Sequence, residues 1–425
     1  MTKENIVVIG GGAAGLTVAS GLLEANYRVT LLEASKRLGG RIQALDGESN
    51  FPIELGASLI DDKKEILYQR AKTLNMLKPG RGKAYFIVGE KLRSAFGVLF
   101  YLGLKDLFRV NKIFKLFYQW SDVDAPLTSL LKKAGTSDKF NQLFSTIVSS
   151  TVGTPIENVG IKSLSYSMQK AGIRPERDLA GLRVSKSFTG LLSPEVKRIK
   201  EHVHFNTVVN SIDYNSKGIK ICCDNDKTYY ADLVVITVPL AILKQGVIEF
   251  SPPLPAEKQK AISMLGMGRG IKTVMFFKQA FWRKRCDYIM DCDNNIMYFV
   301  HSQLKQHVLI AYSTEPTLCE KTDDEVIESV IHPLDIIFAG SARKHFDHAV
   351  VKNWYREPFI GGSYSHDPPG SEGCREKLAE TVRGKLFFAG EACINGHAST
   401  VDGAILSGKR VIHEILNLSS ESVPE

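Results

Sequence analysis

At 425 residues the chain is too long for one small core, and two domains, or one large interleaved pair, is the expected plan. Hydrophobic residues make up 44% and charged residues 24%, with no low-complexity tract or repeat period; this excludes disordered and repeat-array classes and leaves an ordinary globular protein. Net charge is +8, but the lysines are scattered rather than clustered, so no nucleic-acid partner is expected.

In chain order, Ile6–Ile9 is an apolar run that enters Gly10-Gly11-Gly12-Ala13-Ala14-Gly15. A helical stretch and a second apolar run ending at Glu33 complete a βαβ unit over residues 5–33. A first strand that begins at Ile6 leaves no room for a secretory or transit peptide, so a cytoplasmic protein is expected. Residues 51–80 add Ile53–Ser58 and a helical stretch to about Leu77, and residues 81–190 read as mostly helical. Two alternating runs, 203–214 and 218–223, and the buried run 232–239 read as strands; Pro252, Pro253 and Pro255 mark a crossover. Strands follow at 271–277, 296–301 and 307–312, and Thr322 with Glu325 forms a capping box opening a helix. Residues 385–416 read as strand, glycine-rich turn and final helix.

The expected fold class is α/β, in a two-domain α+β arrangement. A Rossmann-like dinucleotide-binding domain drawn from 1–80, 195–265 and 375–425 is interleaved with a substrate domain of helices (81–194) and mixed sheet (266–374). Seven cysteines show no zinc or C-x-x-C spacing, and His202, His204, His345 and His348 are explained by strand alternation and a polar helix end; no metal site is expected. Residues 96–120 set Leu104, Leu107, Phe108 and Phe114 against Lys105, Arg109 and Lys112. The apolar run 95–104 is too short to span a bilayer. A helix packed in the substrate domain is the favoured reading, and peripheral membrane contact the alternative.

The first glycine segment has a specific chemistry. Gly10 permits a tight turn, Gly12 lets backbone approach a pyrophosphate, and Gly15 lets the helix pack against the strand, so the helix N-terminus faces phosphate charge. Glu33, after the second strand, suits the adenosine ribose hydroxyls and argues against a 2′-phosphate. Arg41 adds a cation behind Gly39-Gly40; an exposed surface arginine is its alternative. A second glycine-rich segment, Leu386–Glu391 followed by Ser399–Ala404, narrows the ligand to FAD held between two ends of the chain.

Taken with these, Glu33-Ala34, Arg37, Gly39-Gly40-Arg41, Glu54-Leu55-Gly56-Ala57-Ser58 and Phe388–Glu391 resemble the flavin-containing amine oxidase family, which includes monoamine oxidases, polyamine oxidases and lysine-specific histone demethylases. The similarity covers nearly the whole chain; Asn206–Val209, Val238–Leu240, Gly268 with Lys272, Phe281-Trp282, and Trp354 followed by Gly362–Ser365 also match. The resemblance implies an FAD site containing Ala14, Ala34, Gly56, Ala57, Ser58, Trp354 and Ala404. It also implies that Val209 contacts adenine, that Glu391 binds the ribityl or pyrophosphate region, and that Thr400 and Val401 open a helix facing the flavin N1–C2=O edge.

For catalysis the resemblance implies that Lys272 holds a water near flavin N5 and assists reoxidation; a solvated lysine on an edge strand is its alternative, opposed by the apolar neighbours Ile271 and Thr273–Phe277. Tyr364 matches one wall of an aromatic cage that presents the amine, with ordinary core packing as the alternative. The second wall, a tyrosine in monoamine oxidases, is here Thr400, nearer the pattern of polyamine oxidases and histone demethylases. Ser363 stands where monoamine oxidases attach flavin through cysteine, so noncovalent FAD is expected. Where the family has Ala-Ser-Trp-Ile-His-Gly, this chain has Ala57-Ser58-Leu59-Ile60-Asp61-Asp62, which suggests an altered pocket edge; either acid could attract an ammonium, or both could open a helix. The expected reaction is hydride transfer from a small-molecule amine to the flavin, then reoxidation by O2 to give imine or aldehyde and hydrogen peroxide. A desaturase acting on a large apolar substrate, and a flavin-binding protein without catalysis, are the alternatives.

Overall fold

Ile6–Ile9 are apolar at every position, so neither face of that strand can be left to water, and the chain buries both. In the computed structural model, which describes residues 4–45, 47, 52–60, 66–78, 82–170, 183–184, 187–303 and 306–421, Asn5–Ile9 lies at the centre of a five-stranded parallel sheet. The order is Leu386–Phe388, Leu233–Ile236, Asn5–Ile9, Arg28–Leu32 and Val203–His204. Alternate residues serve opposite cores. Ile6 and Val8 pack with the helices Ala13–Glu24 and Val401–Glu421, whereas Val7 and Ile9 pack with Ile212, Ile219 and Ile221 of a four-stranded sheet.

The run 203–214 is therefore not one strand. Val203–His204 closes the edge of the parallel sheet, and Val209–Asp213 joins the four-stranded sheet, antiparallel to Ile219–Cys223. The third sheet has seven strands, ordered Phe346–Asn353, Ile271–Phe277, Gln306–Ser313, Ile296–Gln303, Cys286–Asp291, Lys83–Ile87 and Leu92–Ser94. Four of these (Lys83–Ile87, Leu92–Ser94, Cys286–Asp291 and Phe346–Asn353) fall where no strand is expected, so the segment after residue 81 begins as sheet before becoming helical, and a strand follows directly on the polar helix end at His345. Thr322 and Glu325 make the expected capping box on helix Asp323–Ile337.

Residues 96–120 form two helices, Ala95–Leu102 and Leu104–Gln119, interrupted at Gly103. The second buries Ile113, Leu116 and Phe117 against Leu127, Leu130 and Phe140 of the neighbouring helical layer, while Leu104 and Phe108 stay exposed. The side chain of Leu107 lies outside the described set. Among the described residues no helix is long and apolar enough to cross a membrane.

Candidate functional site

Parallel strands end together at their carboxyl edge, and ligands of open α/β sheets bind beyond that edge. Here Ile9, Leu32, Thr237 and Gly390 line one side of a cavity of about 1110 Å³, and Lys272, Met297, Phe299 and Tyr312 of the seven-stranded sheet line the other. Of the residues the sequence points to, Gly10, Gly12, Ala14, Glu33, Ala34, Arg41, Gly56, Ala57, Ser58 and Val209 all line this cavity. So do Lys272, Trp354, Tyr364, Glu391, Thr400, Val401 and Ala404. Gly15 does not; a Cβ there would collide with the Gly10 carbonyl oxygen, so its part is close packing of helix on strand. Asp61 and Asp62 lie outside the described residues.

Gly10 has φ +104°, a conformation glycine adopts freely, and turns the chain from strand into helix Ala13–Glu24. The Glu33 carboxylate fixes the turn: Oε2 accepts from the Gly11 amide at 2.6 Å, and Oε1 accepts from the Ser35 amide and hydroxyl at 2.9 and 2.7 Å. At the other end Thr400 Oγ1 accepts from the Gly403 amide at 2.9 Å and so caps helix Val401–Glu421. Two helix N-termini therefore open on one cavity, an arrangement that favours negative charge.

Glu391 ties the two halves together. It accepts from Arg41 Nη1 at 2.9 Å, from Ser365 Oγ at 2.6 Å and from the Ser399 amide at 3.0 Å. Burial alone would raise its carboxyl, but Arg41, Ser365 and Arg375 outweigh burial and hold it below the usual carboxylate range. Arg375, itself buried, donates to Ser365 Oγ and Asp367 Oδ1, each at 2.7 Å. Nothing in the sequence singles out Arg375.

The surroundings fit a dinucleotide. A Cβ on Gly12 would meet nothing within 4 Å among the described residues, which leaves open space at the first helix N-terminus. Ser363 Oγ is buried on the cavity wall and has no hydrogen-bond partner among the described residues.

Lys272 is 7% exposed on a strand flanked on both sides, which rules out the edge-strand alternative. Its Nζ donates to Gly56 O at 2.6 Å, Ser58 Oγ at 3.1 Å and Glu54 O at 3.3 Å. Directly across the strand pair stands Tyr312, whose hydroxyl meets that of Tyr364. Tyr364 lies over Gly153, where φ is +76° and a Cβ would strike the ring. Tyr312 is a cavity residue the sequence reading misses; its register opposite Lys272 is the signal that places both on one face.

This combination of parallel-sheet dinucleotide cradle and buried lysine belongs to a recognised class. The model of the family described as flavin containing amine oxidoreductase matches residues 13–139 and 188–416, and the chain belongs to that family. It is 27% identical to polyamine oxidase 5 of Oryza sativa subsp. japonica, over 96% of this chain and 86% of that one. It is also 27% identical to lysine-specific histone demethylase 1 homolog 3 of Arabidopsis thaliana, over 98% of this chain but only 30% of that protein. Several of the curated relatives are thus much longer than the region they share with this chain. The fold is shared with a putrescine oxidase solved with putrescine, at a TM-score of 0.84 and 17% identity, covering 98% of this chain and 99% of that one.

Proposed function

We propose that this protein oxidises a small-molecule amine with noncovalently held FAD and passes the electrons to O2. The observation that carries the proposal is the buried Lys272 ammonium on the wall of a cavity whose other wall is a dinucleotide cradle. The segments 1–80, 195–265 and 375–425 would hold the cofactor, and 81–194 with 266–374 the amine. Gly10, Gly12, Ala14, Glu33, Ala34 and Arg41 would take the adenosine diphosphate part, with Val209 at the adenine; Gly56, Ala57, Ser58, Trp354, Glu391, Val401 and Ala404 would surround the rest.

When bound, flavin supplies a two-electron acceptor for the C–H bond beside the amine nitrogen. Everything else falls to the chain. Tyr364 and Tyr312 present aromatic faces on which an uncharged amine can pack, and Thr400 leaves the opposite side open. Tyr312 is held as the neutral phenol because burial, then the neighbouring Tyr364, push its pKa well above the usual tyrosine value. Lys272, whose Nζ donates to three oxygen acceptors, would hold a water at the cavity wall by exchanging one of them for it. The amine loses two electrons and two protons to become an imine, water converts the imine to a carbonyl product with release of ammonia or a smaller amine, and O2 gains the same electrons and protons as hydrogen peroxide. Similarity to a polyamine oxidase supports an amine substrate, and Lys272 with the tyrosine pair favours it over desaturation of a hydrocarbon. Anaerobic addition of a panel of mono-, di- and polyamines should bleach the yellow protein, and air should return the colour with peroxide; no bleaching by any amine rejects the proposal.

A further inference from the structure

Helices Ala95–Leu102 and Leu104–Gln119 carry large apolar side chains on the wrong side for a core. Phe96, Phe100, Leu104 and Phe108 are 69%, 74%, 73% and 78% exposed, and Leu99 beside them is also exposed. The Phe96 and Phe100 rings meet edge to face with centroids 4.9 Å apart, so the exposed side chains form a patch rather than isolated residues. The backs of both helices are fixed. Val98 packs with Val88, Leu143 and Met290, and Ile113, Leu116 and Phe117 sit in the helical core. The patch is thus a held surface of the fold.

Its charge selects the occupant. From Lys91 to Gln119 there are six cations (Lys91, Arg93, Lys105, Arg109, Lys112 and Lys115) and one acid, Asp106, a net of +5 by six minus one, against +8 for all 425 residues. Asp106 is buried and accepts from the Ser137 amide at 3.1 Å, so it offers nothing to a cationic partner. A second copy docking by the same face would set +5 against +5. An apolar stripe bordered by lysines fits the boundary between anionic headgroups and acyl chains.

We propose that this helix pair docks in the plane of an anionic lipid bilayer, with the phenylalanines at the acyl boundary and the lysines among the headgroups. The contact is peripheral. Val98 shares its packing cluster with Phe86, Met290, Ile147 and Met297, all of which line the cavity, so docking brings the apolar end of the cavity to within one side-chain layer of the lipid-facing helix.

Vesicle flotation of the full-length protein tests this. The protein should float with phosphatidylcholine vesicles containing about one-fifth phosphatidylserine, should not float with phosphatidylcholine alone, and should be weakened about tenfold in about 0.5 M salt. The pairs Phe100→Ser with Phe108→Ser, and Lys105→Glu with Lys115→Glu, should each lower partitioning by about tenfold or more while thermal melting stays unchanged. The comparison of the two vesicle types needs no variant, so a misfolded variant does not rescue the idea. Absence of flotation, equal flotation with neutral vesicles, or folded variants that float as wild type would overturn it. So would concentration-dependent dimers that the phenylalanine pair abolishes in a protein that ignores vesicles.

Discussion

Tyr312 and Tyr364 share a hydrogen bond between their phenol oxygens at 2.5 Å, with ring centroids 6.5 Å apart and planes tilted by 43°. One phenol comes from an interior strand of the seven-stranded sheet and the other from the segment after Gly362, so the bond locks the angle between two walls of the cavity. Lys272 faces the same space from the neighbouring strand.

Tyr312→Phe should keep the ring and lose the bond. A neutral hydrogen bond of this kind contributes about 1 kcal/mol, so amine binding or flavin reduction should weaken by roughly threefold to tenfold while reoxidation in air is unchanged. Stopped-flow measurement of both half-reactions decides it; unchanged reduction would make Tyr312 a packing residue only.

Lys272→Met should preserve much of the stem volume and remove the donor to Gly56 O, Ser58 Oγ and Glu54 O. The variant is expected to fold, retain flavin and reoxidise slowly after anaerobic reduction, with a further loss in reduction if the ammonium also orients the amine. If both rates match wild type, Lys272 is a structural strand residue.

Glu33→Ala should weaken flavin retention by about 1–3 kcal/mol, roughly fivefold to 150-fold in affinity. Two effects combine: loss of the ribose acceptor and release of the Gly11 amide that the carboxylate holds. Flavin occupancy after extensive dialysis is the measurement, and full occupancy would remove Glu33 from the site.

Acid should destabilise the fold in two stages. Burial, aided by Arg375 and Lys244 and opposed by Glu391, pushes the His366 imidazole from 6.5 down to about 4. The unfolded chain therefore takes up this proton first, and stability present above pH 6.5 is lost as pH falls towards 4, on the order of 3 kcal/mol. Glu391 acts lower, because its contribution is complete above the ordinary 4.5 and disappears as pH drops through its depressed folded value. Melting temperature against pH should show both stages, with His366→Gln removing the upper and Glu391→Gln the lower. A wild-type melting temperature that stays flat from about pH 7 to 4.5 would contradict the first stage.

The dinucleotide half was legible because its signals are local: strand, Gly10 turn, helix and Glu33 all fall within residues 5–33. Lys272 was legible because apolar neighbours on both sides mark an interior strand. Tyr312 was hidden because its meaning depends on register with Lys272, forty residues away (312 minus 272). Strand Lys83–Ile87 has one local partner, the three-residue strand Leu92–Ser94, but the partner that joins it to the rest of the sheet, Cys286–Asp291, lies about 200 residues on. Arg375 sits between Glu372 and Lys377 in a stretch that reads as solvated, and only the fold shows it enclosed by Asp367 and Ser365.

The carboxylate of Glu391 gathers Arg41, Ser365 and Ser399, the first of them 350 residues earlier in the chain. On the ribosome this sets an order of events. At 5–20 residues per second, Arg41 and its glycine loop emerge roughly 20 to 70 s before the acid that completes their site. Over the earlier part of that interval, until residue 236 has been made, the first βαβ unit also lacks the Leu233–Ile236 strand that covers one edge of Asn5–Ile9. A nascent chain stalled before residue 391 should therefore bind chaperones and carry no flavin, and cofactor capture becomes a late event of synthesis.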